Sequence, residues 1–206
     1  MAAAVPECAT FDDPVRLMSA PKLVLYPTAA DTYLAGPALR HALEKLNFIS
    51  TQFQLDGQSH YHTGPAFLDH ISFLGCSPAI ALEAPTQDAE SAARTGRFCH
   101  LHLHEATKLP RLRIRPGQRP RCRQCRTDIE PESLLSLNSA SVTLNCPGCR
   151  REIEPERLNW RQSGAIARIF LDIWGIHNGE AVPGDLLLQQ LGHTTSGRWD
   201  FFYIED

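Results

Sequence analysis

Four cysteines in two pairs are the residues of this chain whose types and spacing most clearly indicate chemistry. Cys122 and Cys125 form the first pair, Cys146 and Cys149 form the second, and twenty residues separate the pairs. A tetrahedral metal site needs four thiolates that converge on one ion, and a single Cys-x-x-Cys turn delivers two of them to the same side. The spacing therefore predicts a closed structural metal site with no open position for catalysis.

The residues that follow each pair repeat at a fixed offset of 24. Arg-x-x-Ile-Glu-Pro-Glu-x-Leu follows Cys125 and again follows Cys149. Two copies of one half-site favour metal binding over the alternatives, which are a redox pair or a coincidental grouping of cysteines. In a reducing cytosol, paired cysteines are also more often metal ligands than disulfides.

Residues 110–158 resemble the zinc-ribbon and rubredoxin-type knuckles. Cys146-Pro-Gly-Cys149 matches their Cys-Pro-x-Cys turn, whereas Cys122-Arg-Gln-Cys125 lacks the proline and neither pair precedes the usual glycine. The resemblance implies one structural zinc ion. Iron is the competing interpretation because thiolate tetrahedra accept both metals. Zinc is favoured because 110–158 contain no Phe, Tyr or Trp that would shield an electron-transfer centre.

A strongly basic segment leads into the first cysteine pair. Eight basic residues and no acidic ones lie between positions 106 and 127. The whole chain has a net charge of −3, so the rest of the chain without this segment has a net charge of −11. Such a segment predicts a partner-binding face for nucleic acid, where phosphate contacts supply most non-specific affinity, or for an acidic protein. Internal pairing with the acidic residues of the repeats is the other interpretation. The predicted partner-binding residues are Arg111, Arg113, Arg115, Arg119, Arg121 and Arg123.

Histidines raise a second metal-site hypothesis. Residues 97–105 alternate strictly, which predicts a strand with His100, His102 and His104 on one face, and His60 and His62 form another same-face pair. These five side chains are candidate ligands of a second metal in a metal-dependent enzyme, which is the alternative function. The competing interpretation is a solvent-facing polar strip. Paired carboxylates, a nucleophile elbow, a phosphate-binding loop and a nucleotide fingerprint are all missing from the sequence.

The fold class predicted is α+β, with helices packed on one sheet, and a ferredoxin-like arrangement is one solution. Strand–helix–strand patterns occur at both ends. The first consists of a strand at 22–26, a helix from Gly36 and a strand at 48–55. The second consists of a strand at 166–174, a helix at 185–191 and a strand at 199–204. Asp185 is the predicted cap of the last helix and Gly192 its predicted end. The organisation predicted is a flexible tail (1–19), a body (20–108 and 159–206) and an inserted zinc ribbon (109–158).

Membrane and secretory segments are not predicted. No apolar run approaches the ~18–20 residues of a membrane span, and residues 1–14 lack the basic start and apolar stretch of a secretory signal. We therefore expect a cytoplasmic protein. The functional hypothesis is a zinc-stabilised binding or adaptor protein that uses its arginine-rich face.

Overall fold

The computed structural model describes residues 20–75, 80–135 and 143–205, so the predicted tail at 1–19 lies outside the described residues. Within them the fold is α+β, as predicted, with five helices, one six-stranded sheet and three two-stranded sheets. The strands are β1 (Lys22–Pro27), β2 (Ile49–Leu55), β3 (Gln58–Thr63), β4 (Ile71–Phe73), β5 (His100–Leu103), β6 (Arg111–Ile114), β7 (Leu144–Asn145), β8 (Glu152–Ile153), β9 (Gly164–Ala167), β10 (Leu171–Trp174), β11 (Ala181–Pro183) and β12 (Trp199–Ile204). The helices are α1 (Gly36–Lys45), α2 (Phe67–His70), α3 (Ala89–Arg94), α4 (Pro131–Leu135) and α5 (Asp185–Thr195), with a short 3-10 helix at Pro155–Arg157.

The six-stranded sheet has the order β12-β1-β10-β5-β3-β2, and all neighbouring strands are antiparallel. Because β10 and β12 both run antiparallel to β1, which lies between them, they are parallel to each other and are connected through α5. This is the split β–α–β connection that ferredoxin-like folds contain. The sheet continues past β5 into β3 and β2, and the ferredoxin-like arrangement as a whole stays a prediction.

Two details of the predicted elements are wrong. The apolar run at 166–174 is not one strand, because β9 and β10 divide it and lie in different sheets. Helix α5 begins after Gly184 rather than being capped by Asp185, and it continues past Gly192 to Thr195. Gly192 is needed inside the helix because the chain folds back on it, and a Cβ there would lie 2.6 Å from the Gly197 carbonyl oxygen.

One face of the large sheet forms an apolar core under α1 and α5. Proline at the start of α1 is compatible with a first turn, and its buried residues recur four positions apart, as an inward helix face requires. The fully buried core side chains on this side are Leu23, Leu25, Leu39, Leu43, Leu101, Leu171, Ile173, Leu187 and Leu191.

The opposite face carries a row of residues that crosses all six strands and is polar on the three strands β10, β5 and β3. Strand registers place its members side by side from β12 to β2: Phe202, Val24, Asp172, His102, His60 and Phe53. Asp172 is 2% exposed, so its carboxylate needs a counter-charge.

Strands β6 and β9 form a two-stranded stem that supplies this counter-charge. Leu112 and Ile114 pack into the core around the cysteines, while the alternate residues Arg111 and Arg113 lie over the ring of Phe170 in the body. The Arg113 guanidinium donates to the two Asp172 carboxylate oxygens at 2.5 and 2.8 Å. The stem thus presents apolar side chains to the core around the cysteines and arginines to the sheet.

The Asp172 carboxylate also accepts a hydrogen bond from His104 Nε2 at 3.0 Å. Burial alone raises the pKa of Asp172, but Arg113 and His104 outweigh that effect and hold the pKa well below its usual range.

We predict that Asp172→Asn destabilises the protein by about 3 kcal/mol, because it leaves the Arg113 guanidinium buried without a charged partner. Urea unfolding at neutral pH measures the loss. The matched control is Asp128→Asn, which breaks the exposed pair with Arg121 and is expected to cost much less, because solvent screens that pair. Equal losses in the two variants would contradict the anchoring role of Asp172.

Candidate metal centre and the histidine face

The two cysteine pairs form knuckles with the same backbone hydrogen bonds. In the first knuckle the Arg126 amide donates to the Cys122 carbonyl at 2.9 Å, and in the second the Arg150 amide donates to the Cys146 carbonyl at 2.9 Å. The amide of the first cysteine in each knuckle also donates to the carbonyl five positions later. The Cys122 amide donates to the Thr127 carbonyl at 2.9 Å, and the Cys146 amide donates to the Arg151 carbonyl at 2.8 Å. The sequence repeat is therefore a repeat of local structure.

Each knuckle places an arginine in the left-handed backbone region. Arg126 has φ 62° and Arg150 has φ 59°, at the position that directly follows each pair. Only glycine adopts this conformation without steric cost, and another residue pays roughly 1–2 kcal/mol. Strained positions of this kind recur at ligand clamps, where the surrounding contacts hold them.

The four sulfurs converge. Cys122 Sγ lies 3.9 Å from Cys149 Sγ, and Cys125 Sγ lies 3.5 Å from Cys146 Sγ. All four ligand atoms lie within 4.8 Å of one another. Zinc–sulfur bonds of ~2.3 Å in a tetrahedron give sulfur–sulfur edges of ~3.8 Å, so the cluster has the dimensions of a metal site.

The outer edge of the cluster is polar. Cys122 and Cys146 are buried, whereas Cys125 is exposed and Cys149 is partly exposed. The Thr127 hydroxyl lies 3.2 Å from Cys125 Sγ, and its hydrogen bond lowers the pKa of the Cys125 thiol to about 6. Gly148 packs against Thr127 and Cys125 so closely that a Cβ there would clash. The two knuckles differ at this position, because the first has Gln124 where the second has Gly148.

The repeated Ile-Glu-Pro-Glu-x-Leu segment builds the hydrophobic core of this module. Its prolines begin α4 and the 3-10 helix, and its last residues, Leu134 and Leu158, are both fully buried. Trp160, which is 7% exposed, completes the core. The sequence prediction placed Trp160 outside the ribbon, because it lies two residues beyond the end of the repeat.

Three of the predicted partner-binding arginines pair internally. Arg113 binds Asp172 as described, Arg119 lies 3.1 Å from Glu130, and Arg121 lies 2.6 Å from Asp128. Internal pairing, the alternative interpretation of the basic segment, therefore accounts for these three side chains.

The other predicted arginines have no ion pair among the described residues. Arg111 is half-buried in the stem, Arg115 follows β6, and Arg123 is exposed in the first knuckle. Three exposed arginines that the predicted set omitted, Arg126, Arg150 and Arg151, likewise lack an ion pair within the described part of the chain. The repeat was the signal for them, because it places Arg150 at the position equivalent to Arg126.

The histidines lie on the second face of the large sheet, close to one another but mostly buried. His102 lies opposite His60 and His100 opposite His62 in the β3–β5 register. His60, His100 and His102 are each less than 9% exposed, so a solvent-facing polar strip is the wrong description. Packing of α3 on this face, with Ala93 against His100, buries the strip.

Hydrogen bonds occupy four of the six ring nitrogens of the buried histidines His60, His100 and His102. His100 Nε2 donates to the Ala93 carbonyl at 3.1 Å, so in the neutral ring Nδ1 carries the lone pair. His60 Nδ1, 3.0 Å away, then donates to His100 Nδ1. His102 Nδ1 donates to the Ser59 carbonyl at 3.1 Å. Among the described residues, the four cysteines form the one group of three or more metal-ligand side chains with mutually close ligand atoms, and the second metal site stays a prediction.

Burial and mutual repulsion keep these rings neutral. Burial, followed by the neighbouring His102 and His100, lowers the pKa of His60 to about 3. Burial is also the main cause that lowers the pKa of His100 and of His102 to about 4. All three are therefore uncharged near neutral pH.

Asp172, which binds Arg113 and His104 beside the buried histidines, is a residue that the sequence prediction missed. It is the single charged residue in the apolar run 169–174, and a lone acidic residue in a core strand is the signal that could have found it.

No protein-family model, curated protein or solved structure matches this chain. In the part of the chain that the structure describes, no helix combines the length and apolar character needed to cross a membrane. The fold and the site define an α+β protein with a four-cysteine cluster that can hold a metal ion.

We predict that stability falls as the pH drops from about 6.5 towards 4, because the unfolded histidines bind protons that the folded ones exclude. Each buried histidine contributes at most about 1.4 kcal/mol per pH unit to the slope of the free energy of unfolding against pH. Replacing His100 by Gln should reduce this slope by about one such increment, measured by urea unfolding between pH 7 and 4.5. His41→Gln, at an exposed position on α1, is the control, and an equal slope in all three proteins would contradict the prediction.

Proposed function

We propose that this is a zinc-binding protein in which the four cysteines hold one structural ion and the tips of the two knuckles bind nucleic acid. The observation that carries the proposal is the convergence of four sulfurs in a repeated pair of knuckles, with arginines at equivalent positions that form no ion pair among the described residues. An acidic protein surface is the second candidate partner. A cytoplasmic location belongs to the same proposal, since thiolate ligands need a reducing environment.

The zinc assignment rests on the ligand set. Four thiolates in a closed tetrahedron suit zinc or iron, and they leave no position open for a substrate. Iron remains the second candidate, and Trp160 supplies the module with the aromatic residue that 110–158 lack. A structural ion would account for how so small a core, dominated by four apolar side chains and the cysteines, holds together.

The basic surface is best defined as the knuckle-tip arginines: Arg123, Arg126, Arg150 and Arg151. A four-thiolate zinc centre carries a net charge of −2, which these side chains partly offset. Their guanidinium groups are exposed and unpaired among the described residues, so they are available to phosphates. Without exposed aromatic residues between them, we expect contacts to the phosphate backbone and little base stacking.

We predict one zinc per chain in the purified protein, measured by elemental analysis, and loss of that zinc in Cys146→Ser. The control is Cys99→Ser, because Cys99 is buried in the core of the body and away from the cluster. Iron in place of zinc would overturn the metal assignment. Two metals per chain, with one lost on changing His100, His102 and His104 to alanine, would favour the metal-dependent enzyme instead.

We predict that nucleic-acid binding weakens roughly 100-fold between 50 and 200 mM salt if all four knuckle-tip arginines contact phosphates. Replacing Arg126 and Arg150 by Gln should reduce the slope of log affinity against log salt by about two, measured by fluorescence anisotropy with a labelled duplex.

Arg119→Gln/Arg121→Gln is the matched control, because it removes the same charge from side chains that already pair internally. Zinc content must be unchanged in both double variants. An equal loss of binding in both would indicate a general charge effect and not a defined interface, and absence of binding at low salt would overturn the nucleic-acid proposal.

A further inference from the structure

A cleft in the body, at the edge of the histidine face, has an unusual charge environment. It has a volume of about 560 Å³ and is bordered by α1, the end of β5 and the start of the stem. This volume lies within the range of about 300–1,000 Å³ that ligand pockets occupy. The charged and imidazole side chains that line it are Arg40, His102, His104, Glu105 and Arg111.

Arg111 is the residue of this cleft whose bonding is incomplete. Its Nε and Nη2 atoms are shielded from solvent and have no hydrogen-bond partner among the described residues. Its guanidinium lies 5.5 Å from the centre of the Phe170 ring, which covers one face but supplies no acceptor. Both atoms are enclosed, so a ligand in the cleft would compensate the charge of the guanidinium and would not bond to these two atoms directly.

The charge of Asp172 acts on Arg111, but its carboxylate oxygens already bind other side chains and form no ion pair with Arg111. Asp172 accepts both of its short hydrogen bonds from Arg113 and a third from His104. Two half-buried arginines therefore share one carboxylate. Burial, and then the positive charge of Arg113, lower the pKa of Arg111, and the negative charge of Asp172 offsets this only in part.

The remaining lining charges do not supply the missing negative charge. Glu105 is exposed, and the exposed Arg40 at the rim already pairs with Glu44. The buried His102 is neutral, since burial lowers its pKa to about 4. His104 has its Nε2 committed to Asp172, which fixes the orientation of its ring in the cleft wall.

We propose that this cleft binds a small ligand through an oxyanion group, either a carboxylate or a phosphate, with Arg111 as its counter-charge and Arg40 at its entrance. Arginine suits this role because its planar, permanently charged guanidinium matches both groups. The site belongs to the body of the protein and is independent of the cysteine cluster and of the knuckle-tip arginines.

The test is binding of two probes, inorganic phosphate and malonate, to the zinc-loaded protein at constant ionic strength maintained with chloride. We expect at least one probe to raise the melting temperature and to shift the Arg111 Nε–H resonance in a ¹H–¹⁵N spectrum. The probe with the larger effect identifies which oxyanion the site prefers. Arg111→Gln should weaken binding about 10- to 100-fold, since a hydrogen bond to a charged group contributes about 1.5–3 kcal/mol.

Arg115→Gln is the matched control, because it removes the same charge from the next same-side position after β6 but does not line the cleft. Its binding should equal that of the wild-type protein. If Arg111→Gln does not fold, the wild-type Arg111 resonance decides the question. Equal effects of the two probes and of chloride, or an Arg111 resonance that neither probe moves, would overturn the proposal.

Discussion

The buried ion pair between Arg113 and Asp172 is the contact on which the arrangement of this molecule depends. Asp172 lies in the middle of the six-stranded sheet, and Arg113 lies on the stem that leads to the cysteine knuckles. A carboxylate at this depth is tolerated only with a charged partner of good geometry. The stem, with the core around the cysteines packed on it, is therefore held over the second face of the sheet by a charge and not by apolar packing alone.

This anchor explains why the second face of the sheet is polar and yet buried. The stem covers one part of it and α3 covers another, so the histidines beside Asp172 are enclosed. Their hydrogen bonds to one another and to backbone carbonyls replace those that water would make, and burial keeps the rings neutral. The anchor has a second consequence: by using the Asp172 carboxylate fully, it leaves Arg111 without a counter-charge.

The arginines at 111–126 and 150–151 thus differ in their physical roles. Arg113 anchors the stem, Arg119 and Arg121 stabilise the ribbon through exposed ion pairs, and the knuckle-tip arginines remain free of ion pairs within the described residues. In the sequence these side chains look equivalent. Strand alternation separates them, because β6 turns its arginines towards the sheet and its leucine and isoleucine towards the cysteine core.

The sequence alone determined the features that depend on local spacing: the two cysteine pairs, the repeat, the α+β class and the strand–helix–strand pattern at each end. Cys-x-x-Cys turns and 24-residue repetition are local, so the four-sulfur cluster was predictable residue by residue. The tertiary structure alone decided which arginines meet a carboxylate, where the run at 166–174 divides, and that the histidines are buried. Those outcomes depend on contacts between residues about 60 positions apart, such as Arg113 with Asp172, and strand periodicity assigns a side chain to a face without revealing what covers that face.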